Sequence, residues 1–134
     1  MAALKAHIAK AQPLALTYRL AESELAAVRA LGFTARAIRP EQLGCRVGDL
    51  VAGEAPGAYE GEAPQEKLLV LDGFSRPDLD RLLAGLRAAG VFVPLKAVVT
   101  PSNRTWTVAA LMGELARERA SLEGGAANEH RQAP

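Results

Sequence analysis

Two short strings hold most of the side chains able to do chemistry. One is Asp72-Gly73-Phe74-Ser75 and the other is Thr100-Pro101-Ser102-Asn103-Arg104-Thr105-Trp106. Each follows an apolar run and precedes a stretch of helical period. Each is therefore expected to lead a strand into a helix start, where unpaired N–H groups and the positive dipole end lie. Gly73 permits a tight turn or a close backbone approach. The hydroxyls of Ser75, Thr100 and Thr105, the amide of Asn103 and the indole N–H of Trp106 are donors suited to a carboxylate or phosphate. Phe74 and Pro101 shape the same turns, and Lys96 would supply a cation from the preceding strand. Each residue also has a plainer use. Ser75 and one of Thr100, Ser102 or Asn103 suit helix caps, Pro101 a turn into a helix, Trp106 a core or groove lining, and Lys96 a solvated face.

Familiar enzyme constellations are missing. The two histidines, His7 and His130, fall near the chain ends, far in sequence from any paired nucleophile. There is no Walker A string and no Gly-x-Gly-x-x-Gly fingerprint. Cys45 is the single cysteine, so an intrachain disulfide and a thiolate metal cluster are excluded. Glu54, Glu60, Glu62 and Glu66 are sparse and linker-borne, as expected of a solvated loop. No metal and no cofactor is expected. A net charge of +1, from 16 basic and 15 acidic residues, gives no basic excess for a nucleic-acid backbone. No run reaches the ~18–20 apolar residues of a membrane span, and Met1–Lys10 lacks the apolar centre of a signal peptide. A lone thiol suits a reducing compartment, so the expected location is cytoplasmic.

The elements that must position these strings follow from periodicity. Leu14–Leu20 alternates and predicts a half-buried strand; Glu22 to Leu31 predicts a helix ended by Gly32. Phe33–Ile38 is a second strand, and a weaker helix follows Pro40 with Val47, Leu50 and Val51 on one face. Residues 53–66 turn to Gly, Ala, Pro and Glu and are expected to form a surface linker. Leu68–Leu71 predicts a central strand. Ser75 caps a helix with Leu79, Leu82, Leu83 and Leu86 as its stripe and Gly90 at its end. Val93–Val99 is a fourth strand, and Val108, Leu111, Met112 and Leu115 mark a last helix. The expected organisation is a leader (1–13), a first half (14–52), a linker (53–66), a second half (67–119) and a disordered tail (120–134).

The halves repeat one β-α-β-α order. Arg29-Ala-Leu-Gly32 matches Arg87-Ala-Ala-Gly90, Arg36-Ala-Ile matches Lys96-Ala-Val, and, after a one-residue shift, Pro40 matches Pro101. Shared binary pattern accounts for such matches as readily as an internal duplication does. Neither half is large enough to fold easily alone, so the two are expected to share one four-stranded sheet. The favoured α/β arrangement is a ferredoxin-like two-layer sandwich; a three-layer doubly wound sheet is the alternative. Either way, parallel strands within the second half send both chemical strings to one edge of the sheet.

Lys67-Leu-Leu-Val-Leu-Asp-Gly-Phe-Ser75, Leu79-Asp-Arg-Leu-Leu83 and Val93-Pro-Leu-Lys-Ala-Val-Val-Thr-Pro101, with Asn103, Trp106 and Glu114-Leu115, resemble the bacterial domain of unknown function DUF3783 over about residues 66–119. The first half has a diluted version, with Pro40 present, Cys45 standing at the Trp106 position and no Gly-Phe-Ser. The resemblance implies that the two loops act as one feature, and it implies no reaction. The function expected is a non-catalytic binding or regulatory module. Its candidate site is Gly73, Phe74, Ser75, Lys96, Thr100, Pro101, Asn103 and Trp106, taking a small anionic ligand or a peptide. The alternative is a structural domain that forms homo-oligomers through the same edge or an open sheet face.

Overall fold

The computed structural model describes residues 12–53 and 56–132, with side chains described as far as Leu122. The first half is β1 (Leu14–Tyr18), α1 (Glu22–Ala30), β2 (Thr34–Ala37), a 3-10 turn (Pro40–Gly44) and α2 (Val47–Ala52). The second is β3 (Leu68–Asp72), α3 (Arg76–Ala88), β4 (Leu95–Val98), a second 3-10 turn (Asn103–Thr105) and α4 (Val108–Gln132). The α/β class and the single sheet shared by two β-α-β-α halves are as expected.

The strand order is β2-β1-β3-β4, with β1·β2 and β3·β4 parallel and β1·β3 antiparallel. This corrects the ferredoxin-like expectation, in which strands of the two units alternate across the sheet. Here each half keeps its strands side by side. Alternate positions of the central strands also serve two different cores. Leu16, Tyr18, Leu68 and Val70 pack with Leu43, Val47 and Leu50 of the first turn and α2, and with Val108, Leu111 and Met112 of α4. Ala15, Leu69 and Leu71 pack with Leu25 and Val28 of α1 and with Leu82 and Leu86 of α3. Because β3 is apolar on both parities, both sheet faces require a helical cover. The layering is therefore the three-layer alternative, on a mixed sheet. The alternation in β1 separates large from small side chains: Ala15 and Thr17 are as buried as Leu16.

The two halves correspond residue by residue. Their parallel registers match Leu14 to Leu68 and Thr34 to Leu95, shifts of 54 residues before the first helix and 61 after it. The β1·β3 register is symmetric about the Leu16–Val70 pair, since Leu14 faces Asp72 as Tyr18 faces Leu68. Backbone bonds repeat with it. Ile38 N–H donates to Thr17 O and Val99 N–H to Leu71 O; Cys45 N–H donates to Gln42 O and Trp106 N–H to Asn103 O. Val47 N–H donates to Trp106 O while Val108 N–H donates to Cys45 O, so the two turns clasp each other across the symmetry axis. This register corrects the match of Arg36 with Lys96. Ala35 is the counterpart of Lys96, and a one-residue slip would exchange the sheet faces.

Two features depart from expectation outside the sheet. The last helix continues to Gln132, through most of the segment expected to be disordered, where Ala120, Leu122, Glu123, Ala126 and Ala127 are good helix formers. The leader, with His7, lies outside the described residues except for its last two. The 53–66 segment has no regular structure where described, but it is a docked strap. Tyr59 N–H donates to Glu41 O (3.0 Å), Cys45 Sγ lies 3.6 Å from Pro56 O, and the Tyr18 hydroxyl donates to Pro64 O (3.0 Å). Tyr59 and Ala63 pack on the α2/α4 core. Gly57 crosses the Glu41–Gln42 peptide so closely that a Cβ would lie 1.9 Å from Glu41 O.

Past the strap, Lys67 Nζ donates to Glu24 Oε2 at 2.6 Å, while Glu24 Oε1 accepts the Ala21 N–H at 2.7 Å. The Lys67 ammonium, followed by that N–H, holds the Glu24 carboxyl below its ordinary range. A lowered folded pKa adds stability above the unfolded value of about 4.3 that is lost as pH falls through the folded value. Glu24→Gln is expected to cost about 1 kcal/mol at neutral pH. In denaturant melts the difference from wild type should shrink once the pH drops below the unfolded value. Gly57→Ala should lower stability by about 2 kcal/mol, because backbone must shift.

Candidate functional site

Parallel pairing of β3 and β4 brings the 72–75 and 100–106 loops to one end of the sheet, where Arg104 lies 4.0 Å from Asp72. Gly73 has φ +75°, in the left-handed region, and turns the chain from β3 to α3. In the first half the same place is held by Arg19 with φ +62°. Phe74 turns inward on the α1/α3 face, with its ring 4.7 Å from that of Phe33. Ser75 is the N-cap of α3: its hydroxyl accepts the Asp78 N–H (3.2 Å), and the Asp78 carboxylate accepts the Ser75 N–H (3.1 Å). That N–H, then the Ser75 hydroxyl and Arg81, hold Asp78 below its ordinary range. A carboxylate of the chain itself thus occupies the position an anionic ligand would take at this helix start.

The second loop is also closed on itself. Thr100 N–H donates to Asn103 Oδ1 (2.9 Å) and Asn103 N–H donates to Thr100 Oγ1 (3.0 Å). Asn103 Nδ2 donates to Val98 O (3.0 Å), and the Thr105 hydroxyl donates to Ser102 O (3.1 Å). Pro101 leads into the 3-10 turn from an exposed position. Leu95 and Val99 direct their amides to β3, so the Lys96 and Val98 peptide groups face outward along the sheet edge. Asn103 therefore covers an edge carbonyl, and Lys96 adds a charge on that edge strand, both of which discourage pairing with another chain.

Lys96 is not brought to the loop. It pairs with Leu69, about 13 Å along the strand from Thr100. Its Nζ donates to Val93 O (2.6 Å), towards the other end of the sheet. Burial, and then Arg119, push its ammonium pKa down. Phe74 and Trp106 lie on opposite faces of the sheet, since Phe74 joins the α1/α3 core and the Trp106 turn joins α2 and α4.

What remains open is Trp106. Its backbone is held in the clasp, and the residue is 37% exposed. Together with Thr107, Ala110, Glu114 and Arg117 it lines a groove of about 340 Å³. Glu114 accepts from Arg117 at 2.6 Å. The sequence reading did not single out Ala110 or Arg117. Ala110, Glu114 and Arg117 stand at i, i+4 and i+7 of α4, the spacing that puts them on one helical stripe. Among the described residues no group of His, Cys, Asp and Glu could hold a metal ion, and no helix is long and apolar enough to cross a membrane.

Residues 67–122 match the family model of a domain of unknown function, DUF3783. No curated protein and no solved structure matches the chain.

Ser75→Ala is expected to cost about 1 kcal/mol, and Asn103→Ala about 1–2 kcal/mol, with inorganic phosphate leaving the wild-type melting temperature unmoved. A phosphate-dependent rise that both variants abolish would restore the anion site.

Proposed function

We propose that this protein is a non-catalytic binding module that holds a partner polypeptide at the loop end of its second half, with Trp106 as the main contact. The observation that carries this reading is the division of labour in the loops. Ser75, Thr100, Asn103 and Thr105 direct their polar groups to their own backbone, while the one Trp of the chain stays exposed beside an apolar groove. An exposed indole on a rigid turn supplies large contact area at low entropic cost, as do binding hot spots. No nucleophile stands beside a general base in this region, which argues against catalysis.

Three further points belong to the same reading. The matched registers and bonds of the two halves support an internal duplication. The lone thiol fits a reducing compartment such as a bacterial cytoplasm. Neither nucleic acid nor a membrane is the expected partner, given the balanced charge.

A second reading is self-association through the side chains of Leu83, Phe92 and Val98, large apolar groups that are exposed on α3, before β4 and in β4. Light scattering over a concentration series separates the two: a monomer throughout excludes self-association.

Selection of displayed random peptides on the full chain tests the main reading. Enriched peptides are expected to lose at least tenfold in affinity against Trp106→Ala, a variant whose folding is checked by its amide NMR spectrum. Failure to enrich any peptide, or affinities untouched by the substitution, would overturn it.

A further inference from the structure

The two edges of the sheet share one plan and are finished differently. Beside β2, Arg29 at the end of α1 donates to Ala35 O (2.9 Å), and Ala35 is buried. Gly32 and Gly90 end α1 and α3 alike, with φ +94° and +72°, so Arg87 is the counterpart of Arg29. Lys96 stands where β2 has Ala35. Arg87 has no hydrogen-bond or ion-pair partner among the described residues. Four residues link Gly90 to β4 where one links Gly32 to β2. Two of the four, Val91 and Phe92, line a groove of about 260 Å³ with Leu83, Leu86, Arg87 and Lys96. Phe92 is 63% exposed and Leu83 38%.

The positive charge in this groove is uncompensated. Lys96 Nζ has one partner, Val93 O at 2.6 Å, which leaves two donors. Arg119, whose guanidinium lies 5.4 Å from the Phe92 ring centre, faces Lys96 as a like charge. Burial and then Arg119 lower the Lys96 pKa, and no carboxylate acts to raise it. Glu118 lines the space on the other side of Lys96, towards α4, but forms no ion pair with it. An ammonium held on apolar walls beside another cation is stabilised by an anion that a ligand brings. We infer that this groove binds a small monocarboxylate with an apolar body, its head on Lys96 and Arg87 and its body on Leu83 and Phe92. A single negative charge suits the site better than a phosphate dianion, because a second charge costs more to desolvate against apolar walls. The occupant is a small molecule and not a strand, since Asn103 covers the Val98 carbonyl that an added strand would need. A second copy in isologous contact would double the unpaired positive charge. The inference is independent of the Trp106 reading, because Lys96 leans towards the other end of the sheet.

Octanoate and 4-phenylbutyrate are the probes, titrated into the full chain and followed by amide NMR shifts. Saturable shifts are expected at Phe92, Val93 and Lys96, with the Trp106 amide unmoved. Octanol lacks the head, and acetate and inorganic phosphate lack the body, so none of the three should give them. Lys96→Met keeps the stem, removes the charge and should weaken both acids by at least about tenfold. Arg87→Ala, at an exposed helix position, should weaken them by about threefold and carries the test if Lys96→Met does not fold. No saturable shift with either acid, equal binding of octanol, or affinities untouched by the substitutions would overturn the inference. Light scattering that shows a dimer whose formation octanoate does not oppose would give the groove to a second copy, and would overturn it too.

Discussion

The structure depends on the antiparallel pairing of β1 with β3. These are the strands buried on both faces, and they meet about the Leu16–Val70 pair. A single half has two parallel strands and too little apolar area for a core of its own. Joined through β1 and β3, the halves give four strands and contribute one helix each to either face. The pairing also decides where everything else lies. It sets α1 beside α3, and it brings the two 3-10 turns together so that Cys45, Val47, Trp106 and Val108 exchange backbone bonds.

Symmetry of backbone coexists with asymmetry of surface. In the first half Cys45 and Gly44 leave room, and the strap fills it with Tyr59 and Gly57. In the second half Thr105 and Trp106 stand at those places and α4 carries the chain away. The same contrast appears at the helix starts. Glu24 and Asp78 cap α1 and α3 in the same way, yet only Glu24 also receives a lysine. Loop residues that look reactive in isolation also fasten their own turns.

Much of the site was legible early, and for a physical reason. Strand-to-helix turns are short-range structures, so Ser75 as a cap, the Gly73 turn and the shared sheet edge followed from local spacing and from the geometry of parallel strands. Lys96 was misplaced because strand position alone does not say towards which end a long side chain leans. Arg117 escaped notice since a single exposed charge stands out only against the stripe it belongs to. Its relevance comes from lining the groove beside Trp106.

Composition and periodicity by themselves determined the element order, the two-half plan, the α/β class and the lack of disulfide chemistry. Those properties depend on turn residues and on apolar spacing within about twenty positions. Tertiary structure alone decided the rest: the β2-β1-β3-β4 order, the helices on both faces, the seating of the strap and the exposure of Trp106. Ala15 and Thr17 show the reason. A small side chain reads as a solvent-facing position in a pattern of polarity, yet here it is what allows α1 and α3 to close on the sheet. The Gly-Phe-Ser and Thr-Pro-x-Asn strings were visible as candidates for chemistry; packing made them the frame that holds one tryptophan out.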